Sequence, residues 1–274
     1  MTSPDLAHPR ARVHHASLEA LRRRPVVLGL VGLLVLAAAI VVGVALGTVS
    51  VPAAETVAIL AHRLGWPVEQ TWAASSETIV VTLRLPRVLT ALVVGLGLSV
   101  AGVTFQGLLR NPLADPYVLG TASGAALGAA IGVLLPIQLR WLGLGLTNIL
   151  AFFGALLAIS IVYRIAGGGG RSTMTSILLT GYAVGSMLAA GLSLAMYLSG
   201  SQLRQIFFYL LGSLHGADWQ SLLVGLPVVA IGSLAILVRA RSLNGLLLGD
   251  DTALHLGVDV RRERAILLAL ASLV

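Results

Sequence analysis

The sequence predicts an all-α, polytopic membrane protein with six complete transmembrane helices and the start of a seventh. Three observations carry this. Only 11% of the 274 residues are charged and 57% are hydrophobic, with a mean hydropathy of +0.94; a soluble domain carries about 25% charged residues. The apolar residues fall in unbroken runs of membrane length, about 20 residues being enough to span the hydrocarbon core; residues 88–109, for example, hold no charge. The polar stretches between the runs are basic, and all 18 basic residues are arginine. In a soluble protein a net charge of +7 would suggest nucleic acid as a partner. Here arginine-rich cytoplasmic loops account for it. With no cysteine, disulfides, thiolate metal sites and thiol catalysis are excluded.

Residues 1–25 are polar and hold Arg10, Arg12, Arg22, Arg23 and Arg24, as a cytoplasmic N-terminal tail does. A signal peptide also places arginines before an apolar run, but no charge occurs between Arg24 and Glu55, a longer interval than such a segment needs. The first span is therefore 26–46. Residues 47–83 form a polar connection. Val51-Pro52-Ala53-Ala54-Glu55 suggests a short helix with proline in its first turn, and Trp66 and Trp72 suit a membrane interface.

Arg84-Leu85-Pro86-Arg87 opens the second span, 88–109, and Arg110-Asn111-Pro112-Leu113-Ala114-Asp115-Pro116 closes it. Each proline removes a backbone donor and disfavours helix in the residue before it. Asn111-Pro112 and Asp115-Pro116 thus bracket a break, and spans two and three form a hairpin. In span three, 117–135, Gly120, Gly124, Gly128 and Gly132 recur at every fourth position. That spacing puts a glycine ridge on one helix face, where a neighbouring helix can approach closely. Arg140-Trp141 lies in a short loop, and span four is 146–163. Gly167-Gly168-Gly169-Gly170, between Arg164 and Arg171, is a loop that lacks the Lys-Ser/Thr of a phosphate-binding glycine loop. Span five is 175–198. Residues 199–218 make an irregular return with Arg204, Tyr209, His215 and Asp218, and span six is 219–238.

Residues 239–264 are polar again, and a seventh apolar run starts at Ala265. Ten apolar residues fall short of the ~17–25 that cross a bilayer, so the chain is expected to be a truncated form of a longer protein. With the N-terminus in the cytoplasm, segments 1–25, 110–116, 164–171 and 239–264 lie inside and hold thirteen arginines against five outside, the expected bias. Arg84 and Arg87 then lie on the outer face, against that trend, and need a role of their own.

No predicted span has a charged interior, which argues against proton coupling and against an intramembrane metal or carboxylate enzyme. His8, His14, His15, His62, His215 and His255 all lie in loops or the tail, without metal-ligand spacing. Residues 242–258 read as two short helices parted at Gly249. Asp250 and Asp251 suit a helix N-terminus, and Gly257 suits a helix C-terminal position. Such an element either docks in a partner's groove or lies flat on the lipid headgroups; the residues alone leave both open.

Three ordered stretches resemble the FecCD-type permeases, the membrane subunits of ABC importers for ferric siderophores, haem and cobalamin. They are Arg84-Leu85-Pro86-Arg87; Gln106-Gly107-Leu108-Leu109-Arg110-Asn111-Pro112-Leu113-Ala114-Asp115-Pro116 with Leu119-Gly120; and Leu248-Gly249-Asp250-Asp251 with Leu256-Gly257-Val258. Leu211-Gly212-Ser213-Leu214 with Asp218-Trp219 is similar to the family as well. The resemblance covers roughly residues 26–274, which makes these the permease domain. It implies a ten-helix importer permease fold in the cell membrane, of which six spans and the start of the seventh are present; the family's later helices and its Pro-His motif are not. It implies as partners a second permease subunit, two cytoplasmic ATPases that bind the ATP and Mg2+, and an extracytoplasmic substrate-binding protein. The chain itself then holds no cofactor or metal, catalyses nothing, and moves a metal chelate. Ferric siderophore is the commonest cargo of such permeases, with cobalamin and haem as alternatives; a secondary transporter, the reading from another class, would need coupling charges inside the membrane. By the same resemblance Arg84 and Arg87 meet acidic residues of the binding protein. Leu248, Gly249, Asp250, Asp251, Leu256 and Gly257 belong to coupling helices seated on the ATPase. Asn111, Leu113 and Thr175 match cytoplasmic loops that narrow the pathway.

Overall fold

The computed structural model describes residues 15–137, 139–167 and 174–274. Most of the glycine loop between Arg164 and Arg171, and the first half of the N-terminal tail, lie outside them. The chain divides into two compact units, up to Val81 and from Thr82 onward.

In the first unit, α1 (His15–Ala45) begins inside the expected tail and carries the first span, Val26–Ala45, exposed along most of its length and buried only at Val44 and Ala45. A helix apolar on every side belongs in a membrane or a large core. Pro52 stands just before α2 (Ala53–Arg63), with Glu55 in the first turn and Arg63 in the last, each favourable to the helix dipole. Trp66 is exposed, as an interface residue should be. Trp72 is not: it is buried, and its Nε1 donates to Glu77 at 3.2 Å. Glu77, in α3 (Ala74–Thr78), also pairs with Arg63 at 2.6 Å.

A π-helical turn, Ile79–Arg84, runs across the unit boundary, and the second unit continues with α4 (Leu85–Leu109). This helix starts earlier than the expected residue 88. Pro86 stands in its first turn, directly after the π-helical turn. The expected break after α4 is present. A 3-10 turn, Pro116–Leu119, leads into α5 (Thr121–Leu134). Here the structure corrects the expected span of 117–135. At 1.5 Å per residue the 14 residues of α5 reach about 21 Å, short of the ~30 Å hydrocarbon core. Its limits are local: Gly120, at φ 75°, parts it from the 3-10 turn, and Leu135, just before Pro136, is extended with ψ 127°. A two-residue hairpin, β1 (Arg140–Trp141) and β2 (Leu144–Gly145), leads to α6 (Leu146–Gly167) and then α7 (Met174–Leu198).

The return at 199–218 is irregular only over residues 211–218. It holds α8 (Leu203–Leu210), whose Ile206 packs with Ala130 and Val133, and whose Tyr209 hydroxyl donates to Asn148 at 2.9 Å. Leu203, Ile206, Phe207 and Leu210 follow helical spacing, but the pattern is closed in by Gly200 and Gly212, both at positive φ, and is too short to register as a run. Then follow α9 (Trp219–Val238), α10 (Ala240–Leu247), α11 (Asp250–His255) and α12 (Val260–Leu273). Among the described residues five helical stretches are long and apolar enough to cross a membrane: Val26–Ala45, Ala74–Leu109, Leu146–Ala166, Met174–Leu198 and Trp219–Val238. The protein is a multi-pass, all-α membrane protein.

The glycine ridge works as its spacing predicts. A methyl group on Gly124 or Gly128 would lie 2.4 Å or 2.1 Å from the carbonyl oxygens of Gly154 and Leu150 on α6, so α5 and α6 meet backbone to backbone. Gly120, at φ 75°, meets Gly185 of α7 in the same way. The main core joins Phe105 and Leu108 of α4, Val162 of α6, Ile177 of α7, Leu243 and Leu246 of α10, and Leu267 and Leu268 of α12. It therefore includes the base of the 242–258 element.

Candidate functional site

The residues singled out by sequence, Thr175 apart, lie toward the two ends of α4, about 37 Å apart by helical rise. At its N-terminal end Arg84 is buried, with 8% of its surface exposed. Arg87 is half-buried and donates through Nε to the Leu214 carbonyl and through an Nη to the His215 carbonyl, both at 3.1 Å. Its planar fork fits two adjacent carbonyls, which a lysine ammonium does not. The loop so held leads to Asp218, the N-cap of α9. The Ser221 N–H donates to the Asp218 carboxylate and the Asp218 N–H donates to the Ser221 hydroxyl, a capping box; bonds from the Ser221 hydroxyl and N–H hold the carboxyl below the usual range. The motif residues Leu214 and Asp218 are thus parts of one hinge between α8 and α9, tied to α4. Arg87→Gln removes two charge-assisted bonds, each worth about 1.5–3 kcal/mol. Amide exchange across 211–218 is expected to accelerate at least tenfold while that of α4 stays unchanged, as read by hydrogen-exchange mass spectrometry.

At the C-terminal end Arg110 adopts a left-handed conformation, φ 51°. Its N–H bonds to the Gly107 carbonyl and the next N–H, of Asn111, bonds back to Gln106. This is the paired closure usual for glycine at that position. The Asn111 side chain accepts from the Leu113 N–H at 2.9 Å, and Asp115 accepts from Tyr117 at 2.9 Å. Asn111 is therefore a turn former by geometry. Leu113 is 87% exposed. Thr175 is exposed in the first turn of α7, and no contact places it with Asn111 or Leu113.

The 242–258 element has the predicted form. Gly249, at φ 120°, parts α10 from α11, Asp250 and Asp251 open α11, and Gly257, at φ 79°, closes it. Leu248 and Leu256, 68% and 62% exposed, face outward together with Leu254, while Leu243, Leu246 and Ala253 face the core. Asp250 and Asp251 part ways. Asp251 is exposed, whereas Asp250 pairs with Arg110 and takes two bonds of 2.9 Å from an Nη of Arg264. Arg110 also donates through Nε to the Leu246 carbonyl at 2.8 Å. Burial pushes the Asp250 carboxyl up, but bonds and charge from Arg264, and then from Arg110, outweigh it and hold the group below the usual range. Beside this triad Arg239, at the end of α9, faces Glu263 of α12 at 3.6 Å.

Sequence reasoning gives Arg110 no role beyond its place in a family motif and counts Arg264 only toward topology. A signal for Arg264 was present: it shares a helical stripe with Leu267, Leu268 and Ala271, all buried, and an arginine in such a register needs a partner. Among the described residues no group of three or more His, Asp or Glu residues is placed to hold a metal.

The chain is similar to several known permeases. The chain is 40% identical over 200 residues, 73% of its length, to the cobalamin import system permease protein BtuC of Halobacterium salinarum, of which it covers 53%. It is 38% identical to the hemin transport system permease protein HmuU of Yersinia pestis over 70% of its own length and 58% of that protein. A solved transporter described as of the metal-chelate ABC type, in an inward-facing conformation, superposes with a TM-score of 0.74 at 26% identity, over 91% of this chain and 73% of that one. The chain thus spans about half the length of the curated relatives it matches. The model of the FecCD transport family matches residues 34–274, and the chain belongs to that family.

Proposed function

We propose that this chain is a permease subunit of a binding-protein-dependent ABC importer that moves a metal chelate inward by alternating access. The observation that carries the reading is the pair α10–α11, a compact element with an outward row of leucines, wired by Asp250 to the end of the helix that carries the two other family motifs. Its outward face, with Leu248, Asp251 and Leu256 around the Gly249 break, is the surface for a cytoplasmic ATPase, which binds the ATP and Mg2+. The chain itself hydrolyses nothing. The partners are a second permease subunit, two ATPases and an extracytoplasmic binding protein, and the N-terminus is cytoplasmic. At the outer end of α4 the binding protein docks on the surface that Arg84 and Arg87 build, with the half-exposed charge of Arg87 toward an acidic group. At the inner end the Asn111–Leu113 turn and Thr175 narrow the pathway. Mostly apolar walls suit a path that has to release what it admits.

For the cargo, the names of the relatives favour a cobalamin or haem chelate over the ferric siderophore expected from sequence. Tagged full-length protein, purified in mild detergent, is expected to bring down a soluble ATPase identifiable by mass spectrometry, and a version with residues 248–257 scrambled is expected to lose it. Absence of an ATPase from folded, unaltered protein would remove this reading.

A further inference from the structure

We infer that the Asp250 carboxylate is the linkage through which α11 carries the ends of α4 and α12 with it, with Arg110 as the positioning residue of the α4 limb. The inference rests on the reading of α10–α11 as the ATPase-facing element. Of the α11 side chains only Ala253 is buried, and Gly249 interrupts the helix before it. Apolar packing therefore gives α11 little hold on the bundle. Beside the Ala253 contact with the core, what attaches it is Asp250, bonded to guanidiniums from two other helices. One of these, Arg264, is itself buried, with 8% exposed.

The backbone of Arg110 points the same way. A glycine would close α4 at φ 51° without strain, whereas a side chain there carries a steric cost. What the arginine adds is its guanidinium, spent on Leu246 and Asp250. The next residue, Asn111, starts the turn that exposes Leu113. The Arg239–Glu263 pair joins the end of α9 to α12, so the ends of three helices meet at one charged joint. Any displacement of α11 has to drag this joint along or break charge-assisted hydrogen bonds, which are stronger than neutral ones.

The test uses spin labels in full-length permease, co-purified with its ATPase. Residues 1–274 hold no cysteine; in a full-length background with any other cysteine replaced, Leu113→Cys with His255→Cys labels one pair per subunit on exposed positions, and dilution with unlabelled subunit isolates that pair. Arg110→Gln is the informative variant, because it cuts the α4 limb and leaves Arg264 paired with Asp250. With Arg110 present, one narrow distance is expected, the same without nucleotide and with ATP plus vanadate. With Arg110→Gln, the ATPase is still expected to co-purify, and ATP plus vanadate is expected to produce a second distance as α11 moves without the turn. Identical distributions for both proteins, with the ATPase retained, would overturn the linkage alone. Loss of the ATPase from both would overturn the docking reading and the linkage with it.

Discussion

Gly128→Ala is expected to separate α5 from α6 and destabilise the protein by about 3 kcal/mol, at the upper end of ordinary overpacking costs. The added methyl would stand 2.1 Å from the Leu150 carbonyl oxygen and 3.2 Å from the Ala151 Cα. These are backbone atoms and cannot swing aside as a side-chain end does, so the helices have to move apart. Packing at close range is what holds helices together in lipid, where burial of apolar surface supplies no drive. Helix propensity works in the opposite direction, since alanine is favoured over glycine by about 1 kcal/mol in a helix interior. The control is Gly102→Ala on α4, where a methyl group meets no atom within 4 Å. That variant is expected to be neutral or slightly stabilised. Thermal unfolding in detergent, compared across the two variants, distinguishes a contact-driven loss from a general effect of removing glycine.

Asp250→Asn is expected to cost about 2–3 kcal/mol. Removing one member of a buried ion pair typically costs 3–5 kcal/mol, because the other charge stays buried without its partner. The smaller figure applies here because Arg264 is 9% exposed but Asp250 is 46% exposed, and water screens part of the interaction. Asp250→Asn combined with Arg264→Met removes the stranded charge and is expected to recover at least half of the loss. The same pair sets a pH dependence. Its two arginines hold the Asp250 carboxyl below its ordinary value, about 3.9 in an unfolded chain. Its contribution to stability is then complete above about pH 4 and disappears as the pH falls through the lower, folded value. The difference between wild type and Asp250→Asn, followed by unfolding as a function of pH, is expected to be constant from neutrality to about pH 5 and to shrink below pH 4.

Much of this architecture can be read from spacing. The glycine ridge, the proline-bracketed break after α4 and the Gly249 break each depend on residues whose backbone preferences act locally, so local sequence suffices. α5 is shorter than the apolar run because hydropathy extends across Tyr117–Leu119 and Leu135, whereas the α-helix starts only after Gly120, at φ 75°, and Leu135 is extended before Pro136. α8 was missed for the opposite reason, since its apolar stripe is real but covers only two turns. The charged joint lies furthest from what sequence shows. Arg110, Asp250 and Arg264 are brought together by tertiary packing, and Arg110 and Arg264 resemble any other arginine of a cytoplasmic loop until the fold places a carboxylate between them. Arg87 shows the same limit. Its composition marks it as an outer-face charge, and only the structure shows that it also holds the carbonyls of Leu214 and His215.

The central claim is that a partner ATPase, not an ion gradient, drives import through this protein. Its most direct test is uptake into proteoliposomes that hold the full-length permease with its ATPase inside and its binding protein outside, with radiolabelled cyanocobalamin and haemin each tried as cargo. The expected result is accumulation of one of them that requires internal ATP, stops with vanadate and is indifferent to dissipation of the proton gradient. Uptake that persists with vanadate and without ATP, and that collapses with the gradient, would contradict the account and identify a secondary transporter.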